Sequence, residues 1–409
     1  MQETFGGSFT QQLPVPPEAE AAALAVLRSG RLHRYNLSAG EEGETGALER
    51  EFAAATGARY CLAVASGGQA LAITLRAVGV RPGESVLTNA FTLAPVPGAV
   101  AGAGAQPVFV ETTERLTINL DDLEGKLGRA RFLLLSHMRG HIADMDRLMA
   151  LCDRAGVQVI EDCAHTMGAR WNGVPSGRHG IAGCYSTQTY KHMNSGEGGL
   201  LVTDDAALMA RATMLSGSYM LYDRHTAAPG PDAFEEPIWE CPNLSARMDN
   251  LRAAILRPQL RGLARNCAAW AERYRAVEAG LAGAPGLHLI PRPAAEAFVG
   301  SSIQALLPGW DAAAIAALVA NCAARGVELK WFGAARPQGF TSRYDHWRYA
   351  SPDPLPRTDR ILAELIDMRL PLTFSLDDCA LIARIIRDEL ERAPGNPALR
   401  QAATGTAAE

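Results

Sequence analysis

Between residue 46 and about residue 205, short apolar runs alternate with stretches in which apolar side chains recur every three or four positions. Apolar runs of this kind predict strands buried on both faces, and the stretches between them predict helices. Seven strands are expected, at residues 61–65, 85–88, 106–110, 132–136, 157–161, 183–186 and 200–203. The pattern therefore predicts an α/β fold with a mostly parallel, seven-stranded sheet covered by helices on both faces.

The pattern changes after residue 248. A helical stretch over 249–282 contains Pro258, which is expected to kink the helix or to begin a new one. Strands near 287–290, 302–307, 327–331 and 368–370 and helices over 311–325 and 376–392 then predict a smaller α+β domain. The predicted organisation is a large domain with an N-terminal arm at 1–248, a small domain at 249–392 and a disordered tail at 393–409.

Composition excludes several classes of function. The 409 residues carry a net charge of −5 without a basic block, which argues against binding to nucleic acid or to an anionic membrane surface. The longest apolar stretches are too short and too interrupted to span a membrane, and the N-terminus lacks the pattern of a secretory signal. The eight cysteines form no CxxC pair, as expected for free thiols in a cytoplasmic protein.

Only three of the 39 basic residues are lysines, and one of them, Lys191, follows the sixth predicted strand. An amine that can lose its proton can form a Schiff base with a carbonyl, whereas a guanidinium cannot. Asp162 follows the fifth predicted strand, and a Gly-rich turn, Ser66-Gly67-Gly68-Gln69, follows the first. Ligands of such sheets bind beyond the carboxyl ends of the strands. This combination predicts a site for pyridoxal phosphate (PLP).

Each part of this predicted site has a physical task. Lys191 holds the cofactor and moves protons, and Asp162 keeps the pyridine nitrogen protonated. The turn at 66–69 offers backbone N–H groups to the phosphate, Ser186 adds a hydroxyl, and His165 is placed to bond the ring oxygen. Taken singly, the turn is compatible with an ordinary turn, Asp162 with a helix cap and His165 with a core histidine. No metal site is predicted.

The chain resembles the DegT/DnrJ/EryC1/StrS family of PLP-dependent aminotransferases from about residue 46 to residue 386. The most specific matching stretches are Glu161-Asp162-Cys163-Ala164-His165, Lys191 and Gly196-Glu197-Gly198-Gly199. The resemblance implies PLP fold type I, which is the aspartate-aminotransferase fold. It also implies Lys191 as the Schiff-base lysine, Asp162 as the partner of the pyridine nitrogen, His165 near the ring oxygen, and Gly67, Gly68, Gln69 and Ser186 around the phosphate.

The resemblance further implies a homodimer in which an asparagine reaches the cofactor of the neighbouring subunit. At that position stands Ser245, with Asn243 two residues earlier and Arg247 two residues later, so either Asn243 or Ser245 is expected to make the contact. Where the family often has an aromatic residue over the cofactor ring stands Leu93. Either ring stacking is lost or Phe91 substitutes for it.

Other departures concern the substrate. Arg139 stands where the family usually has an aromatic residue, and it either recognises a carboxylate or is a surface arginine. His137 and His141, four residues apart, lack a third ligand for a metal. Arg247 is a further expected substrate residue. Either substrate contact or packing at a dimer interface is expected for a further set: Tyr219, Tyr222, Arg224, His225 and the segment Arg34-Tyr35-Asn36.

The leading hypothesis is amino transfer from glutamate or glutamine to a keto sugar, a ketocyclitol or a related ketone. A second hypothesis is elimination or γ-replacement on an amino-acid-like substrate, which would fit Arg139 and the segment Lys330-Trp331-Phe332-Gly333. A third is a PLP-binding regulator without catalytic activity, against which the presence of Lys191 argues.

Overall fold

The computed structural model describes residues 2–38 and 40–399, in which strands and helices alternate along the first half of the chain. The strands of the described part are β1 Tyr60–Val64, β2 Ser85–Asn89, β3 Gln106–Val110, β4 Phe132–Ser136, β5 Gln158–Asp162, β6 Arg170–Trp171, β7 Val174–Pro175, β8 Ala182–Ser186, β9 Gly199–Thr203, β10 His288–Leu289, β11 Glu296–Ala297, β12 Ser302–Leu306, β13 Lys330–Trp331 and β14 Leu365–Arg369. Its α-helices are α1 Pro17–Ser29, α2 Glu44–Thr56, α3 Gly67–Ala77, α4 Pro95–Gly102, α5 Leu120–Lys126, α6 Met145–Ala155, α7 Ala206–Ser216, α8 Pro237–Glu240, α9 Asn250–Leu281, α10 Ala312–Ala324, α11 Pro356–Glu364 and α12 Leu376–Arg392.

The seven predicted strands form one sheet, in the order β1-β9-β8-β5-β4-β2-β3. Strands β8, β5, β4, β2 and β3 pair in parallel, and β9 is antiparallel to both of its neighbours. Consecutive residues of β1 belong to different apolar cores, because Leu62 packs with α3 and α7 whereas Ala63 packs with α2 and α9. The predicted α/β fold with helices on both faces of a mostly parallel sheet is confirmed.

Two helix starts bear on the site. Helix α3 begins directly after β1, where the hydroxyl of Ser66 accepts a hydrogen bond from the N–H of Gln69 at 3.1 Å. Helix α9 begins after Asp249, whose carboxylate accepts from the N–H of Arg252 at 2.9 Å. This helix runs for 32 residues and includes Pro258 in its interior, so no new helix begins at that proline.

A second sheet contains four antiparallel strands in the order β10-β12-β14-β13. Helices α10 and α12 and the second half of α9 cover it. Phe5 and Phe9, from the predicted N-terminal arm, lie in this same core, where each packs edge-on against Phe374 with ring centroids 4.9 Å apart. The arm therefore packs on the smaller sheet, although the sequence assigned it to the first domain. The domain boundaries themselves stay a prediction.

The predicted disordered tail begins at residue 393, and the structure differs from this prediction over 393–399. Asn396 is fully buried there, and its side-chain amide donates to the carbonyl oxygens of Pro285 and Leu390 at 3.1 and 2.9 Å. These seven residues therefore pack against the body of the protein. Residues 400–409 lie outside the described residues. Within the described ranges, no helix combines the length and the apolar character needed to cross a membrane.

Candidate active site

Strand β5 ends in two carboxylates that face opposite sides of the sheet. Glu161 is fully buried, and its Oε2 lies 3.0 Å from Nε2 of His137. Its two oxygens also accept hydrogen bonds from backbone N–H groups, those of Gly177, His179 and Gly180. Both carboxylate oxygens of Glu161 thus have partners inside the protein, whereas Asp162 lines a cavity on the other side of the sheet.

Asp162 is held in place by two hydrogen bonds. The hydroxyl of Ser136, at the end of β4, donates to Oδ2 at 3.0 Å, and the N–H of Ala164 donates to Oδ1 at 3.1 Å. Burial raises the pKa of Asp162 above its ordinary value, while the bond from Ala164 and the charge of Lys191 partly offset this effect. A fixed, buried carboxylate with room for a further donor is suited to a cationic nitrogen.

Lys191 lies in the same cavity, with Nζ 3.0 Å from Nε2 of His165. Burial lowers the pKa of the lysine amine to about 7, although the carboxylate of Asp162 opposes the shift. Burial and the charge of Lys191 hold the pKa of His165 well below its usual value, so this imidazole is neutral at pH 7. Nδ1 of His165 is buried without a hydrogen-bond partner in the described structure. The site thus combines a nucleophilic amine with a neutral histidine.

The N-terminus of α3 forms one end of the cavity. Gly67 and Gly68 line it, and their N–H groups have no hydrogen-bond acceptor among the described residues. A Cβ on Gly67 would lie 2.8 Å from Cβ of Ser186, so glycine is needed for this approach of the helix to the end of β8. Free N–H groups at a helix N-terminus beside a serine hydroxyl are suited to a phosphate.

These residues surround one cavity of about 450 Å³, a size typical of a small-molecule site. The sequence-predicted residues that line it are Gly67, Gly68, Leu93, Arg139, Asp162, His165, Ser186 and Lys191. Gln69 and Phe91 do not line it. The N–H of Gln69 donates to the hydroxyl of Ser66, which caps α3. Phe91 is buried in a separate core, edge-on to Phe332 with the ring centroids 5.1 Å apart. The alternative in which Phe91 replaces a stacking aromatic is therefore wrong, and Leu93 occupies the cavity wall.

A model of the DegT/DnrJ/EryC1/StrS aminotransferase family matches residues 17–387. The chain belongs to this family. PLP is the cofactor of the family. The chain is 35% identical over 242 residues to an L-glutamine:scyllo-inosose aminotransferase of Streptomyces griseus, a match that covers 58% of this chain and 56% of that protein. It is 36% identical over 282 residues to a dTDP-3-amino-3,4,6-trideoxy-alpha-D-glucose transaminase of Streptomyces venezuelae, with 66% and 67% covered.

A solved structure shows the same fold over almost the whole chain. The crystal structure of 3-amino-5-hydroxybenzoic acid (AHBA) synthase superposes with a TM-score of 0.81 at 25% identity and covers 96% of this chain and 100% of that one. In contrast, the sequence match to the inosose aminotransferase spans little more than half of that protein's length. The predicted PLP fold type I is confirmed, together with family membership.

A cluster near the surface contains Asn243, Ser245, Tyr219 and Arg247, and none of these residues lines the cavity of its own chain. The carboxamide oxygen of Asn243 accepts from the N–H of Ser245 at 2.9 Å, and the guanidinium of Arg247 lies over the ring of Tyr219 at 5.2 Å. The ring of Tyr219 is half exposed. Tyr219 and Ser245 have left-handed backbone conformations, with φ of 54° and 51°. Such strained positions in non-glycine residues often belong to functional segments.

Three of the further candidates for substrate contact are structural in this chain. Arg34 forms two hydrogen bonds of 2.9 Å with the carboxylate of Glu49, and Nη2 of Arg34 lies 3.0 Å from Nδ1 of His225. The hydroxyl of Tyr35 lies 2.6 Å from Nε2 of the same histidine. All four side chains are buried, so Arg34, Tyr35 and His225 form an internal network and do not reach the cavity.

His137 and His141 serve different partners. His141 lies 2.8 Å from Oε1 of Gln304, while His137 contacts Glu161. Atoms of His137, Glu161 and Cys163 lie within 4.8 Å of one another, a spacing that a metal site would also have. Because Glu161 already accepts three backbone hydrogen bonds, this group is explained by the packing beneath β5.

Sequence reasoning missed Arg369 and Tyr190, which both line the cavity. Arg369 is the last residue of β14, and its guanidinium lies 3.7 Å from the ring centroid of Tyr190. Arg139 lies on the same cavity wall and has a left-handed φ of 55°. A signal was present, because a strand was predicted over 368–370 and a charged residue at a strand end is a candidate for a site.

Proposed function

We propose that the protein is a PLP-dependent aminotransferase that moves an amino group from glutamine or glutamate to a keto sugar or a ketocyclitol. The observation that carries the proposal is the convergence of Lys191, Asp162 and His165 in one cavity, with the N-terminus of α3 at its end. Membership of the family supports the same reaction class.

The residues of the cavity fit the cofactor of the family. His165 Nδ1 is a buried polar atom without a partner, and Gly67 and Gly68 offer unused N–H groups. A bound PLP would give each of these groups a partner: its ring oxygen for His165, its pyridine nitrogen for Asp162 and its phosphate for the N–H groups of Gly67 and Gly68. When bound, PLP supplies a carbonyl that holds an amine and a ring that accepts electrons.

In this proposal each side chain has one task. Lys191 binds the cofactor through its neutral amine and then carries a proton to and from the substrate carbon. Asp162, held by Ser136 and Ala164, keeps the pyridine nitrogen protonated. The neutral imidazole of His165 bonds the ring oxygen, while Gly67, Gly68 and the hydroxyl of Ser186 hold the phosphate. Leu93 remains a proposed cofactor neighbour as part of the cavity wall, whereas Gln69 supports the site only indirectly, because its N–H donates to the hydroxyl of Ser66.

The substrates are proposed from the relatives. One of them is named for L-glutamine and scyllo-inosose, and another for an amino sugar linked to dTDP. Both names describe amino transfer to a six-membered ring, and the first also names an amino acid as the donor. A cavity of about 450 Å³ accommodates the cofactor with a cyclitol or with the sugar part of such an acceptor.

We also propose a cytoplasmic homodimer with shared active sites. The cluster of Asn243, Ser245, Tyr219 and Arg247 does not reach the cavity of its own chain, and Nδ2 of Asn243 donates no hydrogen bond within the described part of the protein. Exposed apolar side chains adjoin this cluster, namely Met220 and Trp239, which is 84% exposed. A partner subunit would cover them and would receive Asn243 at its cofactor.

The function is tested with purified, PLP-loaded protein. Glutamate and L-glutamine are added separately, and the absorbance of the cofactor should change from that of the aldehyde form to that of the amine form. Adding scyllo-inosose or a keto sugar should then restore the first spectrum and yield an aminated product by mass spectrometry. If no amino acid converts the spectrum of fully loaded protein, amino transfer is not its reaction.

The excess of cations at the cavity favours one alternative, elimination or γ-replacement on an amino-acid-like substrate. Arg139 and Arg369 both line the wall near Lys191, and guanidinium groups recognise carboxylates. Product analysis separates the two reactions, because elimination releases a leaving group and a keto acid from a single substrate, whereas amino transfer needs a second one.

A further inference from the structure

A single buried carboxylate stands among several cations beside the cavity. Asp367 on β14 is only 1% exposed, and its Oδ2 lies 2.9 Å from Nη2 of Arg139 and 4.0 Å from Nζ of Lys330. Oδ1 of Asp367 accepts a hydrogen bond from the side chain of Gln304 at 2.8 Å. The contact with Arg139 is an ion pair without hydrogen-bond geometry, because Nη2 and Oδ2 both lack a hydrogen-bond partner in the described part of the chain.

A third cation lies two residues further along the same strand. Arg369 forms no ion pair with any carboxylate of the described residues; its guanidinium lies 3.7 Å from the ring centroid of Tyr190 and 5.8 Å from that of Phe340. Burial and the positive charge of Arg139 lower the pKa of Arg369. Arg139, Lys330 and Arg369 share one buried carboxylate, Asp367, and the further carboxylate that acts on Lys330, Glu328, is exposed, so positive charge exceeds negative charge in the buried part of this group.

The two arginines, but not Lys330, line the cavity. No described residue accepts a hydrogen bond from the guanidinium of Arg139, although its side chain is 6% exposed. Asp367 does not line the cavity; the carboxylates on its wall are Asp162, which accepts hydrogen bonds from Ser136 and Ala164, and the exposed Glu197. Buried charge without compensation is costly, and an anionic ligand would supply the compensation.

We propose that Arg139 and Arg369 form a subsite for a substrate carboxylate at the cavity wall. This subsite is separate from the turn of α3 that is proposed to bind the cofactor phosphate. The inference rests on the proposed function. The guanidinium of Arg369 lies over the ring of Tyr190 at the cavity wall, and a planar carboxylate matches the N–H edge of a guanidinium. Asp367 acts as a positioning residue, because its carboxylate pairs with Arg139 and does not line the cavity; Lys330 lies 4.0 Å from the same carboxylate.

Such a carboxylate has two possible sources in amino transfer. It belongs either to the amino-acid donor or to a ketone acceptor that is itself an acid. Both present the same planar oxyanion to the arginines, and the two half-reactions separate them, since the donor acts in the first and the acceptor in the second.

The probe is glutarate, a dicarboxylate without amino or keto group, titrated calorimetrically into PLP-loaded protein. Arg369→Gln and Arg139→Gln should each weaken glutarate binding by about tenfold or more. The matched control is Arg81→Gln. Arg81 is exposed and precedes β2, so it lies near the amino end of that strand, whereas the cavity lies at the carboxyl ends of the strands. Arg369 is only partly buried, so its variant serves even if Arg139→Gln does not fold. Equal glutarate affinity in wild type and Arg369→Gln, or saturable binding of inorganic phosphate but not of glutarate, would overturn the proposal.

The first half-reaction then shows which substrate carries the carboxylate that binds the subsite. If Arg369→Gln raises the glutamate concentration needed for half-maximal conversion of the cofactor spectrum and leaves the limiting rate unchanged, the donor carboxylate occupies the subsite. If that step is unaltered while glutarate binding is lost, the carboxylate belongs to the acceptor. Because calorimetry needs no amino transfer, arginine-dependent binding of glutarate in a protein that glutamate does not convert would keep the subsite and refute the proposed function.

Discussion

Nζ of Lys191 lies 3.0 Å from Nε2 of His165, in a cavity where burial lowers the pKa of the lysine to about 7. Because the pKa of His165 is held well below its usual value, the imidazole carries no charge that would compete with the amine. A substantial fraction of Lys191 is therefore neutral at pH 7, which is the form that attacks a carbonyl. This relationship makes the assignment of the reactive lysine directly testable.

We expect Lys191→Ala to bind PLP through the phosphate-binding turn and Asp162 but to lose covalent attachment. Borohydride reduction followed by peptide mapping should place the cofactor on Lys191 in the wild type and on no peptide of the variant. Activity should fall by several orders of magnitude, because the same amine moves the proton.

Lys126→Arg is the matched control for this experiment. Lys126 forms an ion pair of 2.8 Å with Asp122 and lies outside the cavity, so the arginine variant should retain both the label and the activity. A label on Lys126 or Lys330 in the wild type would show that the site is wrongly assigned.

Asp162→Asn should lower turnover strongly, because a neutral amide cannot hold the proton on the pyridine nitrogen. The loss of one such electrostatic contact costs about 3 kcal/mol of transition-state stabilisation or more. Turnover per bound cofactor is the measurement, so that weaker cofactor binding is not mistaken for slower chemistry.

Glu161→Gln tests the neighbouring residue. It should lower the free energy of unfolding by about 1–3 kcal/mol, because an amide replaces a buried carboxylate that accepts three backbone hydrogen bonds. Folded molecules should keep their turnover. The reverse outcome, with Asp162→Asn active and folded Glu161→Gln inactive, would exchange the roles of the two residues.

The rate at which PLP attaches covalently to the cofactor-free protein should depend on pH through Lys191. With a pKa of about 7, the neutral fraction of the amine is small at pH 6 and large at pH 8, so the rate should rise through pH 7 and then level off. Arg369→Gln should move the midpoint upward, because the charge of Arg369 contributes to the lowered pKa. Stopped-flow absorbance measures the rate. A flat profile between pH 6 and 8 would mean that the amine does not titrate in this range.

Much of the fold could be predicted from the sequence, because strands buried on both faces leave continuous apolar runs. The predicted strand over 157–161 appears as Gln158–Asp162, and because side chains alternate along a strand, Glu161 and Asp162 face opposite sides of the sheet. The packing of Phe5 and Phe9 on the small sheet could not be predicted, because it depends on contacts with Phe374, far along the chain. The buried Asn396 was missed because disorder was predicted for the tail as a chain terminus, and its contacts with Pro285 and Leu390 cannot be inferred from the local sequence.

The site was predicted where residues follow one another along a strand and its loop, as with Asp162 and His165. It was missed where two distant parts of the chain meet. Arg369 is separated from Lys191 by 178 residues, and only the packing of β14 beside the cavity brings it near Tyr190. The alternative in which Phe91 stacks on the cofactor was wrong for a related reason. The sequence alone does not show whether an apolar residue after a strand faces a cavity or a core.

The proposed homodimer predicts that two inactive variants restore each other. Lys191→Ala lacks the reactive amine, and the double variant Asn243→Ala/Ser245→Ala should lack the donor that reaches the neighbouring phosphate. A mixed dimer contains one site with both functional halves, because the chain with an intact Lys191 receives its donor from the Lys191→Ala partner. The double variant alone should fold, because Asn243 and Ser245 are both exposed. It should be inactive, because it lacks the donor to the neighbouring phosphate.

An equimolar, fully exchanged mixture should regain at most about one quarter of wild-type sites, since half of the dimers are mixed and each mixed dimer has one complete site. The single variants Asn243→Ala and Ser245→Ala then show which residue matters. Among the described residues, Nδ2 of Asn243 has no hydrogen-bond acceptor, while its oxygen accepts from Ser245, so we expect Asn243→Ala to have the larger effect. Mixed dimers should be verified by co-purification of two differently tagged chains. If verified mixed dimers stay inactive, each active site is complete within one chain and the exposed cluster around Asn243 has another role.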